Sequence, residues 1–132
     1  MAAGRFGRRM LDAKAAMFAL GRLPVGAMNQ TEAAFDRHLV GMQVRGEIVW
    51  HAFEAIKLRL ADNTFYTPDF FVMTAQRELV VYEVKGWMTD DAAVKIKVAA
   101  ETFPILRFYL ARKRLIKDGG DFAVEEVSRP TP

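Results

Sequence analysis

Residues Thr67–Trp87 read TPDFFVMTAQRELVVYEVKGW, two apolar runs separated by the polar turn TAQR. The runs have the composition of neighbouring antiparallel strands. They also carry three charges for which a purely structural hairpin has no use: Asp69 directly behind Pro68, then Glu83 and Lys85 two residues apart. Period two puts Glu83 and Lys85 on one face of their strand and Val84 on the other. Pro68 lacks a backbone donor and is tolerated at strand edges and bulges. Asp69 is therefore expected where two strands part, with Glu83 on the neighbouring strand and Lys85 beside it. Two carboxylates held together repel unless a proton or a cation lies between them. Lys85 can neutralise one. A divalent metal can satisfy both, and would activate water and stabilise a phosphorane-like transition state. The plain alternative is a surface ion-pair ladder worth roughly 0.2–1 kcal/mol per pair.

Working upstream, NQTEAAFDRHLVGMQVRG (29–46) reads as a helix. Asn29 can cap it, Glu32 three residues later completes a capping box, and Phe35, Leu39 and Met42 recur at helical spacing before Gly46. From Ile48 the period changes to two. In IVWHAFEAIKLRL (48–60), Ile56, Leu58 and Leu60 alternate with Lys57 and Arg59, a half-buried strand. Asp62-Asn63 supplies turn chemistry, TFYTPDFFVM (64–73) makes a second strand and ELVVYEVKG (78–86) a third, so the three form an antiparallel meander. Downstream, a helix is expected to open at Thr89 with Asp90 and Asp91 in its first turn, to carry Val94, Val98 and Phe103, and to stop at Pro104. ILRFYLARK (105–113) then follows a helical crossover and pairs parallel to the third strand. KDGGD (117–121) turns into a last short strand, FAVEEV (122–127). The fold class is α/β, a mixed α+β arrangement in which helices flank a central mixed sheet. Residues 1–28 read as a basic N-terminal arm with a short helical piece around Leu11–Leu20, and residues 29–132 as the folded domain.

The chain has 132 residues, 52% hydrophobic with ten Phe, enough for one domain with its own core. Cysteine is absent, which excludes disulfides, thiolate catalysis and thiolate-held zinc, and leaves oxygen-ligated ions such as magnesium or manganese. No apolar run approaches a membrane span, and Asp12 and Lys14 interrupt any signal-peptide core; the expected location is cytoplasmic. The net charge is +3. Basic residues cluster at Arg5, Arg8, Arg9, Lys14 and Arg22 and again in RKRLIK (112–117), a distribution that suits either a polyanion or a solvated face.

Pro68-Asp69 followed by Glu83-Val84-Lys85 resembles the motif of the PD-(D/E)XK nuclease superfamily, and the αβββαβ order resembles that superfamily's restriction-endonuclease-like core. YTPDF (66–70), EVKGW (83–87) and Asp90-Asp91 at the start of the next helix further resemble the bacteriophage endonuclease I family of Holliday-junction resolvases. The resemblance covers roughly residues 29–115 in topology, with the specific identities mostly within 64–100. The arm and the segment after Lys117 have no counterpart in it. The resemblance implies a metal-dependent DNA endonuclease with a further acid, Glu32, on the helix before the meander. Glu32, Asp69, Glu83 and the Val84 carbonyl would hold magnesium, with manganese able to substitute, and Lys85 would assist the attacking water. It also implies a 5′-phosphate product, branched DNA as substrate, a homodimer, and the cytoplasm of a bacterial or phage-infected cell. Candidate DNA contacts are Arg5, Arg8, Arg9, Lys57, Arg59, Lys95 and Lys97, each of which also suits plain solvent exposure. An N3 Glu needs no job beyond capping, and acids at a helix start need none beyond the dipole. His51, beside Trp50 and Phe53, reads as a hydrogen-bonded half-buried side chain, and His38 has no partner at metal-binding spacing. Two other functions fit the same residues: a duplex-cutting nuclease without junction preference, and a nuclease-like fold that binds without catalysis.

Overall fold

The computed structural model describes residues 26–86, 90–114 and 121–127, for residues 90–92 the backbone alone. The chain divides into two units, Met1–Gln30 and Thr31–Pro132. Most of the first lies outside the described residues, including Arg5, Arg8, Arg9 and the short helix expected around Leu11–Leu20.

Helix α1 (Gln30–Val44) begins one residue after Asn29, as the capping pattern predicts. It ends at Gly46, whose φ of 77° is the left-handed conformation that glycine adopts without penalty. Among the described residues the strands are β1 (Ile48–Phe53), β2 (Leu58–Ala61), β3 (Thr64–Tyr66), β4 (Phe70–Thr74), β5 (Leu79–Lys85), β6 (Arg107–Lys113) and β7 (Phe122–Glu126), with helix α2 (Asp90–Thr102) between β5 and β6. Five strands form a mixed sheet in the order β1-β4-β5-β6-β7, in which only the β5–β6 pair is parallel. The helical crossover, the parallel pairing and the TAQR turn all stand as the sequence predicts.

The meander differs from expectation in one respect. Neither IVWHAFEAIKLRL nor TFYTPDFFVM is a single strand. β1 stops at Phe53, where Glu54 takes a left-handed φ of 48°, and β2 and β3 form a separate two-stranded hairpin through the Asp62-Asn63 turn. The chain rejoins the sheet only at Phe70, so the hairpin is an excursion between β1 and β4. Pro68 marks the return, because it cannot donate a ladder hydrogen bond and is fully buried where the strand restarts.

Both sheet faces are covered. On one, Phe35 of α1 is wholly buried among the rings of Phe70, Tyr82 and Phe122, at centroid distances of 5.5, 5.1 and 5.0 Å. His51 is fixed to the same helix, its ring nitrogens 3.1 Å from Gln43 Oε1 and 3.2 Å from Asp36 Oδ1, which agrees with the half-buried, hydrogen-bonded role expected of it. On the other face, Val81 and Phe108 pack with Tyr66, Leu106 and the Ile96, Ala99 and Ala100 stripe of α2. Here the structure corrects the expected helix face. Val94 and Val98 are 60% and 38% exposed, and the two alanines turn inward, letting α2 lie close to the sheet.

Candidate functional site: an acidic pair at a strand junction

The backbone of Asp69 is fixed before its side chain is considered. Its carbonyl accepts the Glu54 N–H at 2.8 Å, which ties together the two ends of the hairpin excursion. Phe70 pairs with Tyr82 and Phe71 with Val81, so continuing the register sets Asp69 opposite Glu83. At that position Asp69 Oδ2 accepts the Val84 N–H at 2.8 Å, a side chain taking the place of a ladder carbonyl just where β4 begins.

Glu83 is the only polar or charged residue buried among the described residues, with 8% exposure. Burying a carboxylate is costly unless it is well partnered. Its Oε2 accepts the Tyr66 hydroxyl at 2.6 Å, and its Oε1 lies 3.4 Å from Lys85 Nζ. Glu83 and Lys85 share one face as period two demands, and only 16% of the Lys85 side chain is exposed. A surface ladder would leave both ends in water; these two are largely out of it.

Glu32 reaches the same place from α1. Gly86, directly after β5, lies so near that helix that a Cβ on it would come within 3.3 Å of Thr31 Oγ1. The next helical residue, Glu32, shares a hydrogen bond with the Asp69 carboxyl. Burial, the Glu83 charge and Glu32 together push Asp69 up to about 8, against the opposing pull of the Val84 amide. Burial also raises Glu83, partly offset by Tyr66 and Lys85. Asp69 therefore keeps its proton near neutrality.

The four residues singled out from the sequence, Glu32, Asp69, Glu83 and Lys85, are thus brought together. Among the described residues, no three His, Asp or Glu side chains form a group spaced to hold a metal ion; the acids are engaged with Tyr66, the Val84 amide, Lys85 and one another. Their chemistry still suits a hard cation. Asp69, raised by burial and by the Glu83 charge, and Glu83, raised by burial, would both gain from a cation placed between them.

Of the candidate DNA contacts, Lys57 and Arg59 stand on the outer face of the β2–β3 hairpin, and Lys95 and Lys97 are exposed on α2. The side chains of Asp90 and Asp91 lie outside the described residues. Tyr66 is the member of this cluster that sequence reasoning missed. Alternation within β3 gives its inward direction, but its partner lies 17 residues away and only the fold brings the two together.

No protein-family model, no curated protein and no solved structure matches the chain.

Proposed function

We propose that this protein is a metal-dependent DNA endonuclease of the PD-(D/E)XK kind, with a restriction-endonuclease-like core and a preference for four-way junctions. One observation carries the reading. A buried Glu and an Asp raised to about 8 face each other at a strand junction, with a half-buried Lys on the first and a further Glu on the second. A carboxylate buried at this cost, in a domain that could place an apolar residue there, calls for a functional reason.

Asp69, Glu83 and Glu32 would hold magnesium once the proton at Asp69 has left. The bound cation would supply the positive charge that stabilises the pentavalent phosphoryl transition state and acidifies water. The protein's own groups do the remaining work. Lys85 offsets phosphate charge and orients the attacking water, Tyr66 keeps the Glu83 carboxylate from rotating away, and the Val84 amide aims Asp69. Symmetric cutting of a junction needs two such sites, so the active species is a two-fold homodimer.

The test is cleavage of a labelled four-way junction beside its matched linear duplex, in magnesium, in chelator, and with Lys85→Ala. Paired junction cuts that disappear with chelator and drop on the order of a hundredfold or more with the variant are expected. Equal cutting of both substrates would leave a nuclease without junction preference. Tight binding with no cleavage in magnesium or manganese would overturn the enzyme reading in favour of a binding module.

A further inference from the structure

The β2–β3 hairpin has two unlike faces. Leu58 pairs with Tyr66 and both point inward, where Leu58, Leu60 and Tyr66 join the α2 side of the core. Arg59 pairs with Phe65, and these point out. Lys57, two residues before Arg59, swings its Nζ over the Phe65 ring, 4.3 Å from the centroid. Phe65 nonetheless stays 40% exposed, at a position where alternation would ordinarily put a polar side chain. Among the described residues, the acid that pairs with this face is Asp62, whose Oδ1 is 3.8 Å from Arg59 Nη2 and whose side chain is 91% exposed. The outer face is thus a part-exposed aromatic ring with one flexible cation laid over it and a second beside it.

From this we infer that the outer face of the hairpin binds unpaired nucleotides, a base stacking on Phe65 as the Lys57 ammonium moves aside to one flanking phosphate and Arg59 takes another. Aromatic rings bind bases of any identity through their faces, and basic side chains follow the backbone. Charge complementarity selects a polyanion, and the exposed ring selects one with bases free to stack. The position fits the proposed chemistry. Phe65 is followed directly by Tyr66, which holds Glu83, and the chain then enters Pro68-Asp69. The hairpin thus carries the stacking ring on its outer face and the Glu83 partner on its inner one, and the substrate class is DNA with unpaired nucleotides. The inference rests on the nuclease reading but is tested apart from cleavage.

The experiment measures equilibrium binding, in chelator, of a fluorescein-labelled oligothymidine strand and of a duplex of equal length. The proteins are the wild type, Phe65→Leu, and the double variant Lys57→Gln/Arg59→Gln. Phe65→Leu keeps an apolar side chain but loses the stacking surface. It is expected to weaken the single strand by about 5- to 150-fold and the duplex by less than about twofold. The double variant is expected to lower the slope of log affinity against log salt by about 0.7 for each cation removed. Melting temperatures within about 2 °C of wild type would show that these exposed changes spare the fold. Unaltered single-strand binding by Phe65→Leu overturns the inference, as does equal displacement by polyglutamate at matched charge, which would mark a general polyanion patch. Wild type that cuts DNA while Phe65→Leu binds like wild type removes the hairpin role alone. Wild type that binds neither probe and cuts no DNA removes the nuclease reading as well.

Discussion

Asp69 keeps its proton well above the ordinary carboxylate value of 3.8, up to about 8. In the unfolded chain the same group ionises near that ordinary value, so between the two the folded state binds a proton that the unfolded state does not. The associated stability is fully present below about pH 4 and is lost as pH rises through about 8. Asn at this position cannot ionise. Asp69→Asn is therefore expected to melt at least about 4 °C higher than wild type at pH 9, to converge with it toward pH 4, and to show no cleavage at either. Parallel melting curves at all pH values would mean that the proton resides elsewhere in the cluster. Glu83, Lys85 and Asp69 were legible in the sequence because side-chain parity and the missing donor of Pro68 are local facts. The Tyr66 hydroxyl was not, since its role depends on a hairpin folding back over β5.

The contact of α1 with the end of β5 decides whether Glu32 reaches Asp69. Gly86 leaves room for Thr31, and a methyl group there would press on Thr31 Oγ1. Gly86→Ala is expected to change unfolding free energy by less than about 1 kcal/mol, because the stiffer unfolded chain offsets part of the crowding. Cleavage should fall on the order of tenfold as Glu32 is displaced, and Thr31→Ala in the same chain should restore it. A cleavage rate untouched by Gly86→Ala would show that Glu32 is only a capping residue. Elements with a clear periodicity or apolar run were readable in advance: α1 by its helical spacing, β5 by a run buried on both faces. The break after Phe53 was hidden because Ala52 and Phe53 continue into Ala55 and Ile56 with only Glu54 between, so no polar turn signal appears. The inward stripe of α2 was hidden for a different reason. Its Ala99 and Ala100 bury by permitting close approach rather than by bulk, and hydrophobicity alone favours the valines that face water.

For the molecule as a whole, a buried Glu83 and a part-buried Asp69, both raised above the ordinary carboxylate range, set the balance between folding and loading. Magnesium should raise the melting temperature more at pH 8.5 than at pH 6, because at the lower pH the ion must displace the proton from Asp69, and the increment should vanish in Asp69→Asn. Equal increments in the variant would place the ion elsewhere. The sheet's outline has a separate consequence. Among the described residues its borders are β1 and β7. β1 slips register between Ile48 and Trp50, while β7 carries Glu125 and Glu126. A straight apolar border would recruit a second chain strand to strand, and bulges and charges are the usual obstacles. Here Val49 and Trp50 are both more than 40% exposed, so the bulge at Val49 guards the stickier border. A deletion that ironed it out would turn a discrete domain into a template for fibres.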